Sequence, residues 1–184
     1  MSSVAATIQQ VFEERGENQY GSEAVSQLEH ALQCGTLAEK AGASRSLVVA
    51  AFVHDIGHIL DDAPMIEDSE ENLDDKHEYR GNAWLREHFG SEVADPVRLH
   101  VIAKRYLCTV DPEYIKSLSP TSLKSFHDQG GVMDEGERQR FEEEPYLKEA
   151  LALRRWDDAA KIPKHPTPSL QHFLDLVREA VRKC

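Results

Sequence analysis

The chain has 184 residues, of which 40% are hydrophobic and 29% charged, and its formal net charge at pH 7 is −12. This length fits one domain with its own core, and the acidic balance argues against a nucleic-acid-binding protein, which usually presents a basic surface. No apolar run approaches the roughly 20 residues that span a bilayer, and the opening residues do not resemble a secretory leader. Three scattered cysteines without a CxxC pair are typical of a reducing cytoplasm.

The predicted elements are helical throughout, without the alternating pattern of a strand. Hydrophobic spacing and the N-cap residues Ser22 and Ser44 predict the long helices, which are 3–15, 23–41, 45–60, 75–89, 92–107, 146–160 and 168–182. An acidic loop is expected over 61–75, and short helices joined by turns over 108–145. We therefore expect one all-α helical bundle over 1–184, in which a proline-rich linker and a closing helix (161–184) follow the main body of about 20–160.

Metal-binding residue types recur within the amphipathic patterns of five predicted helices. In the helix 45–60, for example, His54 and His58 share a face with aliphatic residues. The complete ordered series is His30, His54, Asp55, His77, His100 and Asp157. A lone histidine on an apolar face is more often a core residue, but facing helices are where bundles build metal sites, and carboxylates can bridge two ions. Six ligands exceed the need of one catalytic metal, so the series predicts two metals. The remaining histidines are interpreted as surface or packing residues: His88, His127, His165 and His172.

Two cations accompany this series. Lys104 follows His100 by four residues and Arg154 precedes Asp157 by three, so each shares a helical face with a candidate ligand. Paired cations beside metals suit an anionic ligand. The alternative is that both are salt-bridged or snorkelling surface residues.

The ordered His, His-Asp, Asp series resembles the HD-domain superfamily of metal-dependent phosphohydrolases over about residues 25–160. Four further stretches narrow the resemblance, namely QYGSE (19–23), HVIAKRYL (100–107), LSPTSL (118–123) and RRWDDAAK (154–161). Together with His77 and His100, they are similar to the mixed-valent di-iron oxygenases of organophosphonate catabolism, the PhnZ type, which are relatives of myo-inositol oxygenase.

The resemblance implies a di-metal site in the bundle core with two irons, Fe(II) and Fe(III), and O2 as co-substrate. One iron would be held by His30, His54, Asp55 and Asp157. The other would be held by Asp55, His77 and His100, so that Asp55 bridges.

The resemblance also implies roles around the metals. Tyr20 would occupy the open position of the O2-binding iron until substrate displaces it, and Glu23 would pair with the substrate's amino group. His58 would donate or accept a hydrogen bond near the substrate. The phosphonate oxygens would be held by Lys104, Ser122 and Arg154. From its residues alone, SPTS is equally an N-cap cluster.

The implied reaction is O2-dependent cleavage of the carbon–phosphorus bond of (R)-2-amino-1-hydroxyethylphosphonate to glycine and phosphate. An alternative is the N-trimethyl analogue, which would give glycine betaine. We prefer the primary amine because aromatic residues, which often bind quaternary ammonium groups, make up only 7% of the chain. A metal-dependent phosphohydrolase and an inactive HD domain that senses a ligand are the hypotheses of other classes. We expect a small-molecule phosphonate as partner, and a cytoplasmic monomer or small homo-oligomer.

Overall fold

Helices form the regular elements of residues 3–60 and 73–181, which are the residues that the computed structural model describes; side chains at 58, 60 and 73–80 are outside the description. The elements are α1 (Val4–Arg15), α2 (Gln27–Lys40), α3 (Arg45–Val53), α4 (Ile56–Leu60), α5 (Leu73–His88), α6 (Ser91–Val110), α7 (Pro112–Ile115), α8 (Pro120–Asp128), α9 (Glu135–Glu142), α10 (Leu147–Ala159) and α11 (Leu170–Ala180). The all-α prediction is confirmed. No helix of the described residues is both long and apolar enough to cross a membrane.

The helix starts follow from side-chain caps. Ser44 accepts a hydrogen bond from the amide of Leu47 and caps α3, as predicted. The predicted cap of α2 is wrong: a capping box of Ser26 and Glu29 begins that helix. The reason is that the chain turns just before it, where the Tyr20 amide donates to the Val25 carbonyl at 3.0 Å. Ser22 lies in this turn, and its hydroxyl is 2.5 Å from that of Thr121.

The predicted continuous helix 45–60 is also wrong, because it is broken at His54 and Asp55. α3 ends at Val53, and α4 begins at Ile56. The helical hydrogen bonding is interrupted at these two residues, although the backbone of His54 keeps helical angles (φ −59°, ψ −33°). Both side chains face the same place, and His54 Nε2 is 3.2 Å from Asp55 Oδ2.

α3 is the central helix of the bundle. Its seven residues Leu47–Val53 are all buried, and it packs against α2, α6, α10 and α11. α11 approaches α2 closely at Gly35, where an added Cβ would lie 2.4 Å from a ring carbon of Phe173. The two tryptophans, Trp84 and Trp156, are partly buried against this core, as expected. The candidate metal ligands therefore project from helices that are already fixed by apolar packing.

Candidate active site

Three buried histidines converge from α2, from the break after α3, and from α6. Each ring is oriented by a backbone carbonyl that accepts from its Nδ1. The pairs are His30 with Ala160 at 2.8 Å, His54 with Ala51 at 2.9 Å, and His100 with Val97 at 2.5 Å. A carbonyl only accepts, so Nδ1 carries the hydrogen in all three rings and Nε2 keeps a lone pair in the neutral form. This is the usual arrangement of metal-binding histidines.

The Nε2 atoms of His30 and His54 are 3.3 Å apart. Two lone pairs at this distance repel, so the pair needs a proton or a metal ion between or beside the rings. Burial lowers the pKa of His54, but the carboxylates of Asp55 and Asp157 outweigh it and raise that pKa to about 9. A site that attracts a proton this strongly is also suited to a metal cation, so the donor set fits a metal.

Two carboxylates complete the cluster. The Oδ2 atom of Asp55 faces His54 and lies 3.7 Å from His30 Nε2, whereas its Oδ1 is 3.8 Å from His100 Nε2. The two oxygens of Asp55 thus face different histidines, as a bridging ligand requires. Asp157 Oδ1 is 3.4 Å from His30 Nε2 and 4.0 Å from His54 Nε2.

Arg154 keeps Asp157 ionised. Burial raises the pKa of this carboxyl, but the Arg154 guanidinium and the neighbouring histidines outweigh burial and hold it well below its usual range. Arg154 Nη1 donates to Asp157 Oδ2 at 2.8 Å, and the same guanidinium also pairs with Asp158. The buried arginine is therefore anchored by two carboxylates of its own helix.

Tyr20 lies against the histidine cluster. Its ring stacks on the imidazole of His30, with centroids 3.9 Å apart and planes inclined by 15°. Its hydroxyl is 3.5 Å from Asp157 Oδ1. Burial, with Asp157 and Asp55 next in importance, raises the pKa of Tyr20 well above its ordinary value, so the phenol stays neutral.

A network of polar side chains adjoins the cluster on the far side of Arg154. Its Nη2 is 3.4 Å from Ser122 Oγ. Lys104 is only 2% exposed, and its Nζ donates to Ser125 Oγ at 2.5 Å. Ser125 in turn donates to the Ser122 carbonyl at 3.1 Å. One chain of hydrogen bonds thus joins Lys104, Ser122 and Arg154. These are the three residues that the family resemblance had grouped as phosphonate-binding.

Glu23, in the turn before α2, joins the same network of polar side chains. Its Oε1 accepts from Ser119 Oγ at 2.5 Å and from Lys161 Nζ at 3.1 Å. Burial raises the pKa of Glu23, but these two partners outweigh it, and the net effect is a pKa below the ordinary value. Lys161 Nζ also donates to Ser122 Oγ at 3.0 Å, so Glu23 and Ser122 share one cation.

Comparison with known proteins identifies the family to which this chain belongs. The family model described as "HD domain" matches residues 28–161. The chain belongs to the HD-domain family. Within this HD-domain protein, the cluster of His30, His54, Asp55 and Asp157 carries the ordered series that the sequence analysis had singled out.

Curated relatives narrow the family further. The HD-domain chain is 41% identical over 175 residues to the [1-hydroxy-2-(trimethylamino)ethyl]phosphonate dioxygenase (glycine-betaine-forming) of Leisingera caerulea, covering 94% of this chain and 88% of the relative. It is 42% identical over 168 residues to the hydroxymethylphosphonate dioxygenase of Gimesia maris, covering 89% and 81%. It is 33% identical over 178 residues to an uncharacterized protein, L432, of Acanthamoeba polyphaga mimivirus, covering 94% and 80%. The resemblance to PhnZ-type phosphonate oxygenases is confirmed.

Two predicted site residues lie outside the described side chains. These are His58 in α4 and His77 in α5, whose backbones belong to those helices. The four histidines left out of the predicted site do lie elsewhere: His127, His165 and His172 are exposed, and His88 contacts Trp84 with ring centroids 4.7 Å apart.

Sequence analysis missed several side chains at the HD site. Cys34 lies one turn after His30 on α2, and its Sγ is 3.7 Å from His30 Nε2. The spacing of four residues places both side chains on one face of the helix, so Cys34 could have been predicted to lie at the site. Lys161 ends the stretch RRWDDAAK that narrowed the resemblance and begins the predicted linker, but it was given no role of its own. Ser119 was not distinguished from Ser122, although it is the N-cap of α8 and accepts from the Ser122 amide at 3.2 Å. Because Ser119 provides the cap, the Ser122 hydroxyl can face Arg154 and Lys161.

Proposed function

We propose that this HD-domain protein is a di-iron oxygenase that cleaves the carbon–phosphorus bond of (R)-2-amino-1-hydroxyethylphosphonate, giving glycine and phosphate. The observation that carries the proposal is the position of Arg154, which contacts both the candidate metal ligand Asp157 and the pocket residue Ser122. An anion bound at Ser122 would therefore lie next to the metals. The relatives from Leisingera caerulea and Gimesia maris, both named as phosphonate dioxygenases, support the reaction class.

The reaction balances with one molecule of O2. The hydroxylated carbon becomes a carboxylate and the phosphonate becomes phosphate, so the two products together contain two more oxygen atoms than the substrate. One molecule of O2 accounts for this gain in the net equation, so no separate reductant is consumed.

The chemistry of the donor set supports a proposal for the metal ligands. We propose that His30, His54, Asp55 and Asp157 hold one iron, and that Asp55, His77 and His100 hold the other. When bound, the irons would supply redox chemistry with O2 and Lewis acidity toward the substrate's oxygens. The protein's own contribution is to orient the ligands, through the carbonyl acceptors behind each described histidine ring.

The pocket side chains would bind and orient the substrate. Arg154, Lys104 and Ser122 would donate hydrogen bonds to the phosphonate, and the low exposure of both cations makes each bond stronger than it would be in water. Tyr20, stacked on His30, would cover the cluster until substrate arrives. Glu23 would accept a hydrogen bond from the substrate ammonium. We propose that His58 also lies near the ammonium end of the substrate.

The surroundings of Glu23 support a primary amine as the nitrogen substituent of the substrate. Its described partners are Ser119 and Lys161, both of which donate hydrogen bonds. A primary ammonium can replace such donors, whereas a trimethylammonium group has no hydrogen to donate and is usually bound by aromatic faces. The trimethylamino substrate named for the Leisingera caerulea relative is the second candidate, because that relative aligns with 94% of this chain.

One assay tests the proposal. The chain is loaded with iron without oxygen, and O2 uptake, phosphate, glycine and glycine betaine are then measured with the aminated, trimethylaminated and hydroxymethyl phosphonates. We expect equal amounts of O2 consumed, phosphate and glycine. Phosphate release without O2 uptake would instead indicate a phosphohydrolase, and glycine betaine as the main product would reverse the choice of substrate.

A further inference from the structure

The acid proposed to bind the substrate's amine is already paired with a cation. Lys161 Nζ lies 3.1 Å from Glu23 Oε1, and the two side chains are 13% and 14% exposed. At this exposure an uncompensated carboxylate would be costly. A substrate ammonium would therefore have to share Glu23 with Lys161 or replace it.

Lys161 is held in place by its backbone neighbours. The Ala160 carbonyl accepts from His30 Nδ1 at 2.8 Å. On the other side, the Ile162 carbonyl accepts from Gln33 Nε2 at 3.0 Å, and the Ile162 amide donates to Gln33 Oε1 at 3.1 Å. The chain at Lys161 is thus fixed to α2 on both sides, so the ammonium can move only by rotation of its own side chain.

That rotation has a second acceptor available. Lys161 Nζ already reaches Ser122 Oγ at 3.0 Å, and the same oxygen is 3.4 Å from Arg154 Nη2. Ser122 is where the proposed phosphonate would bind. Lys161 therefore stands between the acid at the amine end of the substrate and the anion at its other end.

We propose that Lys161 is a specificity-determining residue, an exchangeable counter-cation of Glu23. It neutralises Glu23 when the substrate has no nitrogen and turns to the phosphonate when a substrate ammonium takes its place. This inference rests on the proposed function. It would let one site accept hydroxyphosphonates with and without an amino group, because Glu23 would be paired with a cation in both complexes.

The test is a binding experiment that requires no turnover. Hydroxymethylphosphonate and 2-amino-1-hydroxyethylphosphonate are titrated into the iron-loaded full chain without oxygen, and the ratio of their Kd values is measured by calorimetry. In Lys161→Met, Glu23 has lost its cation, and only the aminated substrate can supply another. The aminated complex also loses the contact between Lys161 and the phosphonate, which keeps Arg154, Lys104 and Ser122 as donors. We expect the unpaired, mostly buried carboxylate of Glu23 to outweigh that loss. The ratio should therefore rise in favour of the aminated substrate, by about 10-fold and at most about 100-fold.

Three further variants isolate the charge effect. Lys161→Arg keeps a cation and should give the wild-type ratio, and Lys161→Met with Glu23→Gln should return the ratio toward wild type. Glu23→Gln alone leaves Lys161 without its acid and should lower the ratio. Lys116→Met is the matched control, because it removes a lysine paired with Glu113 on the surface, where the two side chains are 72% and 76% exposed.

The outcomes separate the two proposals. If the wild-type chain binds neither phosphonate, the proposed function is wrong, and the role of Lys161 is withdrawn with it. If both bind and Lys161→Met weakens them by the same factor, the function stands and Lys161 is not specificity-determining. Should Lys161→Met fail to fold, an unchanged ratio in Glu23→Gln would overturn the role by itself.

Discussion

The proposed metal half and the proposed substrate half of this site are built differently. In the metal half, the rings of His30, His54 and His100 are oriented by backbone carbonyls. In the substrate half, Glu23 and Lys161 bond mainly to other side chains. A backbone acceptor can move only with its helix, whereas side-chain partners can exchange by rotation.

The difference suits the two tasks. Metal affinity gains from ligands that are oriented before binding, and the helices that carry them are packed around α3. In the proposed function, substrate binding would replace existing hydrogen bonds, so the substrate half needs partners that can be exchanged without moving the backbone. The following predictions test this division, from the largest expected effect to the smallest.

Asp55→Ala should abolish the metal centre. The two oxygens of Asp55 face different histidines, so its loss removes a ligand from both proposed metals. We expect loss of both metals, measured by mass spectrometry, and phosphate release at background level. Asp175→Ala, which removes an exposed acid paired with Arg178, should keep full metal content. Two metals per chain in Asp55→Ala would refute the bridging role.

Arg154→Met should destabilise the fold as well as the pocket. It leaves the buried carboxylate of Asp157 without its cation, and breaking a buried pair in this way costs about 3–5 kcal/mol. Urea denaturation measures the change. Arg178→Met, at an exposed pair with Asp175, should change stability by less than about 1 kcal/mol. An equal loss in the two variants would mean that Arg154 is not a structural link between the two halves.

The chelator-treated chain should be most stable near pH 6.5. The pKa of His54 is raised from 6.5 to about 9, so its stabilisation is complete below 6.5 and disappears as pH rises through about 9. It amounts to about 3 kcal/mol at most. Burial and repulsion from His54 lower the pKa of His100 from 6.5 to about 4, so stability falls again as pH decreases from 6.5 toward 4.

Thermal unfolding between pH 4 and 10, with and without chelator, measures this dependence. Metal loading should remove most of the loss above pH 6.5, because a metal replaces the proton at the histidine pair. His54→Gln should remove the same alkaline loss from the chelated chain. A chelated chain that becomes steadily more stable from pH 6.5 to 9 would contradict the assigned His54 environment.

The two halves also differ in how far sequence could predict them. His30, His100 and Asp157 were found because helical spacing places them on apolar faces, and their helices have nearly the predicted bounds. The break at His54 and Asp55 was missed because a buried apolar run is equally compatible with one straight helix.

The substrate half depends on contacts that no local pattern encodes. Lys161 reaches Glu23 across 138 residues of sequence. Its position results from the hydrogen bonds that attach the segment after α10 to α2. Here only resemblance to a family indicated Tyr20 and Glu23, and neither spacing nor resemblance assigned a role to Lys161.

Tyr20→Phe should have the smallest effect on stability and still alter reactivity. The hydroxyl is 3.5 Å from Asp157 Oδ1, so its loss should cost no more than about 1 kcal/mol. The ring can still stack on His30, and both metals should remain bound. If the hydroxyl is what covers the O2-binding iron, the iron of the variant should oxidise faster in air without substrate, as followed by Mössbauer spectroscopy.

The control for Tyr20→Phe is Tyr106→Phe, which removes a hydroxyl bonded to Glu142 away from the cluster and should oxidise at the wild-type rate. An unchanged rate in Tyr20→Phe would show that Tyr20 serves only as a packing surface for His30. Tyr20 would then belong to the fixed metal half, and the exchangeable half would begin at Glu23. A faster rate places the boundary at the Tyr20 hydroxyl itself, where its ring is held by stacking while its oxygen is exchanged for substrate.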